Sequence, residues 1–112
     1  MPLAKRVAVT LPAGPKIEHT ISRIKWAEEH GFPDAWFSDS GAPDSLTQVA
    51  AIAHYTESLR IGVAVTPVYT RSPSVLAASS IVIAQLLPVR FVMGLGSFHW
   101  RVSGGSVQSL TR

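Results

Sequence analysis

Cysteine is absent from the 112 residues, which excludes disulfides and thiolate metal sites and fits a reducing compartment. Charge is scarce too: Asp, Glu, Lys and Arg make up 15% of the chain, so much of the surface must be apolar or covered by something else. The ten basic residues are scattered and the net charge is +3. With no basic stripe and no aromatics interleaved with one, nucleic acid is an unsupported partner. Long hydrophobic runs are missing as well. The apolar run near the N-terminus is too short for a signal peptide, and the uncharged stretch from Pro73 to Pro88 falls short of the ~20 residues that a spanning helix needs. A soluble, cytoplasmic protein without a membrane partner is expected. The histidines, His19, His30, His54 and His99, have no metal-site spacing and read as surface or helix-packing residues. Neither a Walker loop nor a Ser/His/Asp arrangement is visible.

What is present is a repeated unit. The apolar fraction, 46%, is that of a globular chain long enough for one small domain. The centre is RIGVAVTPVYTRSP, Arg60 to Pro73. Its apolar run, Ile61 to Val65, lacks polar alternation, as in strands buried on both faces of a parallel sheet. Pro67 has no N–H for the ladder and ends it. Ser72 can cap the next helix, with Pro73 in its first turn.

Three similar units surround it. Arg6 to Leu11 predicts a first strand. Ile17, Ile21, Ile24 and Ala27 fall at helical spacing, with Gly31 just past the helix end and Phe32 folding back on its last turn. Asp34 to Asp39 predicts a second strand, and Asp44 caps a second helix carrying Leu46, Val49, Ile52 and Ala53 inward. The third helix, Pro73 to Leu87, aligns Leu76, Ile83 and Leu87, and Pro88 stops it. Arg90 to Gly96 predicts a fourth strand. Strand starts near 6, 34, 60 and 90 recur at the interval of a βα module, so four parallel strands with right-handed crossovers are expected. After Ser97 the rhythm breaks, and residues 98–112 are expected to be an irregular tail beyond a 1–97 domain.

Ligands of parallel α/β folds sit at the carboxyl ends of strands. That rule selects Thr10, Asp39, Ala64 to Pro67 and Gly94 to Ser97. Asp39 is either a turn former or a functional carboxylate. Gly94 and Gly96 miss the dinucleotide fingerprint, because a third glycine would have to stand at His99. They either let the backbone approach something flat or bulky, or mark a flexible strand end. Arg71 could meet a phosphate or carboxylate, or be a solvated loop residue. Trp26, Trp36 and Trp100 read as packing residues.

Taken together, AEEHGFPDAWFSDS, LRIGVAVTPVYTRSPSVLAASS and RFVMGLGS resemble the amino-terminal half of the luciferase-like monooxygenase family. Its members bind flavin mononucleotide (FMN) or the deazaflavin coenzyme F420. The resemblance runs from about Arg6 to Ser97. It implies a partial (β/α)₈ barrel, its first four parallel strands joined by three helices. It also implies a bulge with a cis peptide between Ala64 and Val65 that supports the cofactor ring, with Asp39 beside the ring and Gly94 to Ser97 at its edge. The cofactor-side residues are then Asp39, Ala64, Val65, Thr66, Gly94, Gly96 and Ser97. Ser40 stands where the deazaflavin branch commonly has histidine, so no catalytic residue is assigned. Pro33 is a further departure, and the resemblance ends at Ser97.

The implied activity is hydride transfer or monooxygenation at a flavin or deazaflavin on a small-molecule substrate. The alternative is a truncated, non-catalytic fragment of such an enzyme. In that case strands one and four keep open edges, and Val7, Val63 and Val65 or their neighbours face water. Helices two and three carry few charges and are expected to pair with their counterparts in a homodimer of the complete protein.

Overall fold

The computed structural model describes residues 6–12, 16–39 and 43–97, and the backbone of 99–103 and 106–110. Strand and helix alternate. The elements are β1 (Ala8–Thr10), α1 (Ile17–Glu29), β2 (Asp34–Phe37), α2 (Ser45–Ile52), which runs into a short 3₁₀ turn, β3 (Arg60–Pro67), α3 (Pro73–Leu86) and β4 (Phe91–Gly96). The four strands pair in parallel in the order β1-β2-β3-β4. This is the run of βα units that builds one part of a (β/α)₈ barrel.

Helix boundaries follow local chemistry. The Asp44 carboxylate accepts from the Thr47 N–H (2.9 Å) and the Ser72 hydroxyl from the Val75 N–H (3.2 Å), each satisfying a donor that the helix start leaves orphaned. Gly31 has φ +78°, and its neighbours close α1: the Phe32 N–H donates to the Ala27 carbonyl (3.1 Å) and the Gly31 N–H to that of Glu28 (3.1 Å). Phe32 meets the Trp26 ring at 5.7 Å, so the expected fold-back is present.

The core lies between sheet and helices. Ala35, Phe37, Ile61 and Val63 point to it from β2 and β3, and meet Ile24, Ala27, Leu46, Val49, Ile52, Ile83 and Leu87. Strand residues alternate in direction, so Trp36, Gly62 and Ala64 take the opposite face. Val63 was expected to face water without a closed barrel. It is fully buried instead, because its parity directs it to the helices, while Val7 is exposed and Val65 half-buried. The apolar run of β3 is not covered on both faces either, since Ala64 is exposed. On that face Trp36 covers Gly62 so closely that a Cβ there would stand 2.4 Å from its ring.

Two elements differ from expectation at the ends. β2 stops at Phe37, two residues short of Asp39. Residues 98–112 were expected to be irregular, yet β5 (His99–Ser103) and β6 (Ser106–Leu110) pair antiparallel, separate from the four-stranded sheet.

Candidate functional site at the carboxyl ends of the strands

β3 is regular beside β2 only as far as Val63, which pairs with Phe37. On its other side the register with β4 shifts between Val63 and Thr66, and pairing resumes as Thr66 with Leu95 and Pro67 with Gly96. The inserted residues form a β-bulge, the device by which a strand re-aims its side chains. The Ala64–Val65 peptide within it is cis, at the bond the resemblance implies. Ala64 is exposed and Val65 half-buried, so the bulge offers a small, apolar surface. Beyond it the Val68 N–H donates to the Gly96 carbonyl (3.0 Å), keeping β3 tied to β4.

The sequence leaves open what Gly94 approaches. It is the bulge itself: a Cβ at Gly94 would stand 3.0 Å from the Val63 carbonyl oxygen and 3.4 Å from the Ala64 Cβ. Gly94 thus makes room for the neighbouring strand. Gly96 is half-buried and Ser97 exposed at the end of β4. Thr66 is wholly buried, and its Oγ1 has no hydrogen-bond partner among the described residues.

Asp39, two residues past β2, is also nearly buried. Its Oδ2 accepts from Arg71 Nη1 at 2.5 Å, and Arg71 Nη2 donates to Asp44 Oδ1. Arg71 is therefore no solvated loop residue: its side chain is 13% exposed. Its guanidinium is held above its ordinary value, foremost by the hydrogen bond to Asp39 and against burial, with Asp44 adding to the effect. For Asp44, burial pushes the carboxyl up, but hydrogen bonds from Thr47 and Arg71 outweigh it and the net shift is downward. Sequence periodicity could not reveal this bridge, since its partners lie 32 and 27 residues apart.

At the opposite rim a second cluster ties the strand starts. The buried Asp34 accepts from Arg6 (Nη2 2.6 Å, Nε 3.0 Å) and Arg60 (Nε 2.8 Å). Its carboxyl is held below the usual range by Arg6 first, against burial, and then by Arg60. Ser40 and Gly41 lie outside the described residues. Among the described residues no group of three or more His, Asp or Glu side chains is placed to hold a metal ion, and no helix is long and apolar enough to cross a membrane.

Known proteins align with this arrangement. An F420-dependent glucose-6-phosphate dehydrogenase of Nocardia farcinica is 35% identical over 81 residues, covering 63% of this chain and 24% of the relative. A 5,10-methylenetetrahydromethanopterin reductase of Methanolobus tindarius is 32% identical over 89 residues, covering 77% and 26%. Among solved structures, the coenzyme F420 dependent tetrahydromethanopterin reductase from Methanopyrus kandleri superposes with a TM-score of 0.72 at 26% identity, over 80% of this chain and 26% of that one. The chain thus spans about a quarter of the length of these relatives. The family description "luciferase-like monooxygenase" matches residues 2–102. From the three βα units and fourth strand, the bulge in β3 and this match, the chain belongs to the luciferase-like monooxygenase family.

Proposed function

We propose that this chain forms the cofactor-side wall of an F420-dependent oxidoreductase that acts on a small-molecule substrate by hydride transfer. The observation that carries the reading is the β3 bulge, whose exposed Ala64 sits at the carboxyl end of the sheet between Asp39 and the end of β4. The F420-dependent relatives favour the deazaflavin over FMN. The residues fit such a group: the bulge is small and apolar enough to lie against a flat ring, and the unpartnered Thr66 hydroxyl stands beside it in sequence.

When bound, the deazaflavin supplies the hydride donor or acceptor, chemistry that no side chain here offers. The chain's residues orient it. Ala64 and Val65 would support the ring and keep water from it, while the Asp39 carboxylate would accept a hydrogen bond from a ring-side donor. Gly96 and Ser97 would border the ring, and Gly94 makes room for the bulge. No general acid is assigned.

Titrating the full chain with F420 and with FMN tests this reading. F420 is expected to bind more tightly, and Ala64→Trp to weaken it by at least about tenfold by filling the ring's place. Uptake of FMN alone, or an Ala64→Trp chain that binds F420 unchanged, would remove this reading.

A further inference from the structure

The ladder between β2 and β3 ends at Phe37 and Val63. Past that pair, among the described residues, no backbone hydrogen bond holds the end of β2 to the bulge, although β3 stays paired with β4 to Pro67. The place of a ladder is taken by one side chain. Arg71 leaves the loop that follows β3 and reaches Asp39 beyond β2 and Asp44 at the start of α2. The segment after β2 that carries Asp39, the loop after β3 and the start of α2 therefore meet in one guanidinium.

The burial makes this contact more than a surface ion pair. The Asp39 side chain is 4% exposed and that of Arg71 13%, so each charge has lost most of its water and depends on the other. A planar guanidinium can grip two carboxylates at once in fixed directions, which an ammonium on a flexible stem does less well. Arg71 is occupied on both sides by carboxylates, which leaves it poorly suited to a ligand phosphate.

We infer that Arg71 is a positioning residue: it fixes the Asp39 carboxylate relative to the β3 bulge and so sets the direction in which Asp39 meets a ligand. The inference rests on the reading of Asp39 as a cofactor-side residue. It also assigns a ligand chemistry to this corner. Two carboxylates and one guanidinium favour a group that donates a hydrogen bond and disfavour an anion.

The test is a double-mutant cycle on the full chain, with F420 as the probe and its fluorescence change as the measure of binding. Arg71→Met is expected to weaken binding about tenfold while Asp39 is present, and to have no further effect in an Asp39→Asn background. Arg71→Lys should recover part of the loss, because it restores the charge without the two-pronged grip. Should Arg71→Met fail to fold, Arg71→Lys and the double variant carry the test, since Asp39→Asn removes the stranded buried charge. Equal losses from Arg71→Met in both backgrounds would mean that Arg71 touches the ligand itself and would overturn the inference. Loss with Asp39→Asn but none with Arg71→Met would also overturn it, leaving the cofactor-side reading intact. If Asp39→Asn binds as well as the unaltered chain, or the unaltered chain takes up no F420, that reading falls and the positioning role with it.

Discussion

Val89 joins α3 to β4 with φ +60° and a fully exposed side chain. A β-branched residue in the left-handed region is unfavourable by about 1–2 kcal/mol, whereas asparagine visits that region readily. Val89→Asn is expected to stabilise the chain by about 1 kcal/mol, read as a higher urea midpoint at unchanged slope. Nothing in the sequence marks Val89, because a positive φ imposed by a short connection leaves no signal in residue type. The same limit applies to other single residues. Gly62 reads as a gap in an apolar run, and only the fold shows that the Trp36 ring fills it. Gly94 was legible as a place of close approach, but what it approaches belongs to another strand. Asp39 was selected by its strand-end position, and Arg71 was left between an anionic partner and a solvated loop, because its partners are distant in sequence. Local rules thus marked the carboxylate and the cation separately and could not pair them.

Whole elements were more legible, since helix caps and apolar spacing are written in neighbouring residues. Asp44, Ser72 and Gly31 each act at the helix end where their chemistry puts them. One inter-element tie was not readable. Glu28, near the end of α1, accepts the N–H groups of Glu57 (2.9 Å), Ser58 (3.2 Å) and Leu59 (2.9 Å). It thereby satisfies the backbone of the turn that feeds β3. Burial pushes its carboxyl up, but these three donors and Arg90 outweigh burial and hold it below its ordinary value. A carboxyl with a depressed folded-state value adds stability above its unfolded value and loses it as pH falls through the folded one. Glu28→Gln is therefore expected to cost about 1–2 kcal/mol at neutral pH. The difference from the unaltered chain should shrink as pH drops below about 4.3. Urea unfolding at several pH values checks it, and a gap that stays constant down to acid pH would refute the role of the charge.

At the scale of the molecule, the outer surface of α2 and α3 stands out. Val75, Ile81, Val82 and Leu86 of α3 are exposed, and a groove of about 290 Å³ runs between the helices, lined by Leu46, Ala50, Val82 and Ile83 among others. A barrel's outer helices normally show water a charged face, so we propose that two copies pair here. Ile81→Glu and Ala78→Glu, both at exposed positions, should weaken that association; light scattering reads it, and an unchanged oligomer would count against the proposal. The order of the four strands was legible from the spacing of the modules, and the hairpin after β4 was not, because its short strands lack a periodic pattern. The two ion clusters have a joint consequence. Arg6 and Arg60 surround one carboxylate, Asp34, while Asp39 and Asp44 surround one guanidinium, Arg71. Counted over these side chains, the amino end of β2 carries +1 (two cations, one anion) and its carboxyl end −1 (one cation, two anions). The second strand is thus the axis of a small electric dipole whose negative pole lies at the end that carries the proposed site, and physiological salt leaves such a field in force over about 8 Å. A cofactor with a phosphate-bearing tail would meet that pole as a rudder meets a current: its ring could lie against β2 and β3, while its anionic end would be turned away.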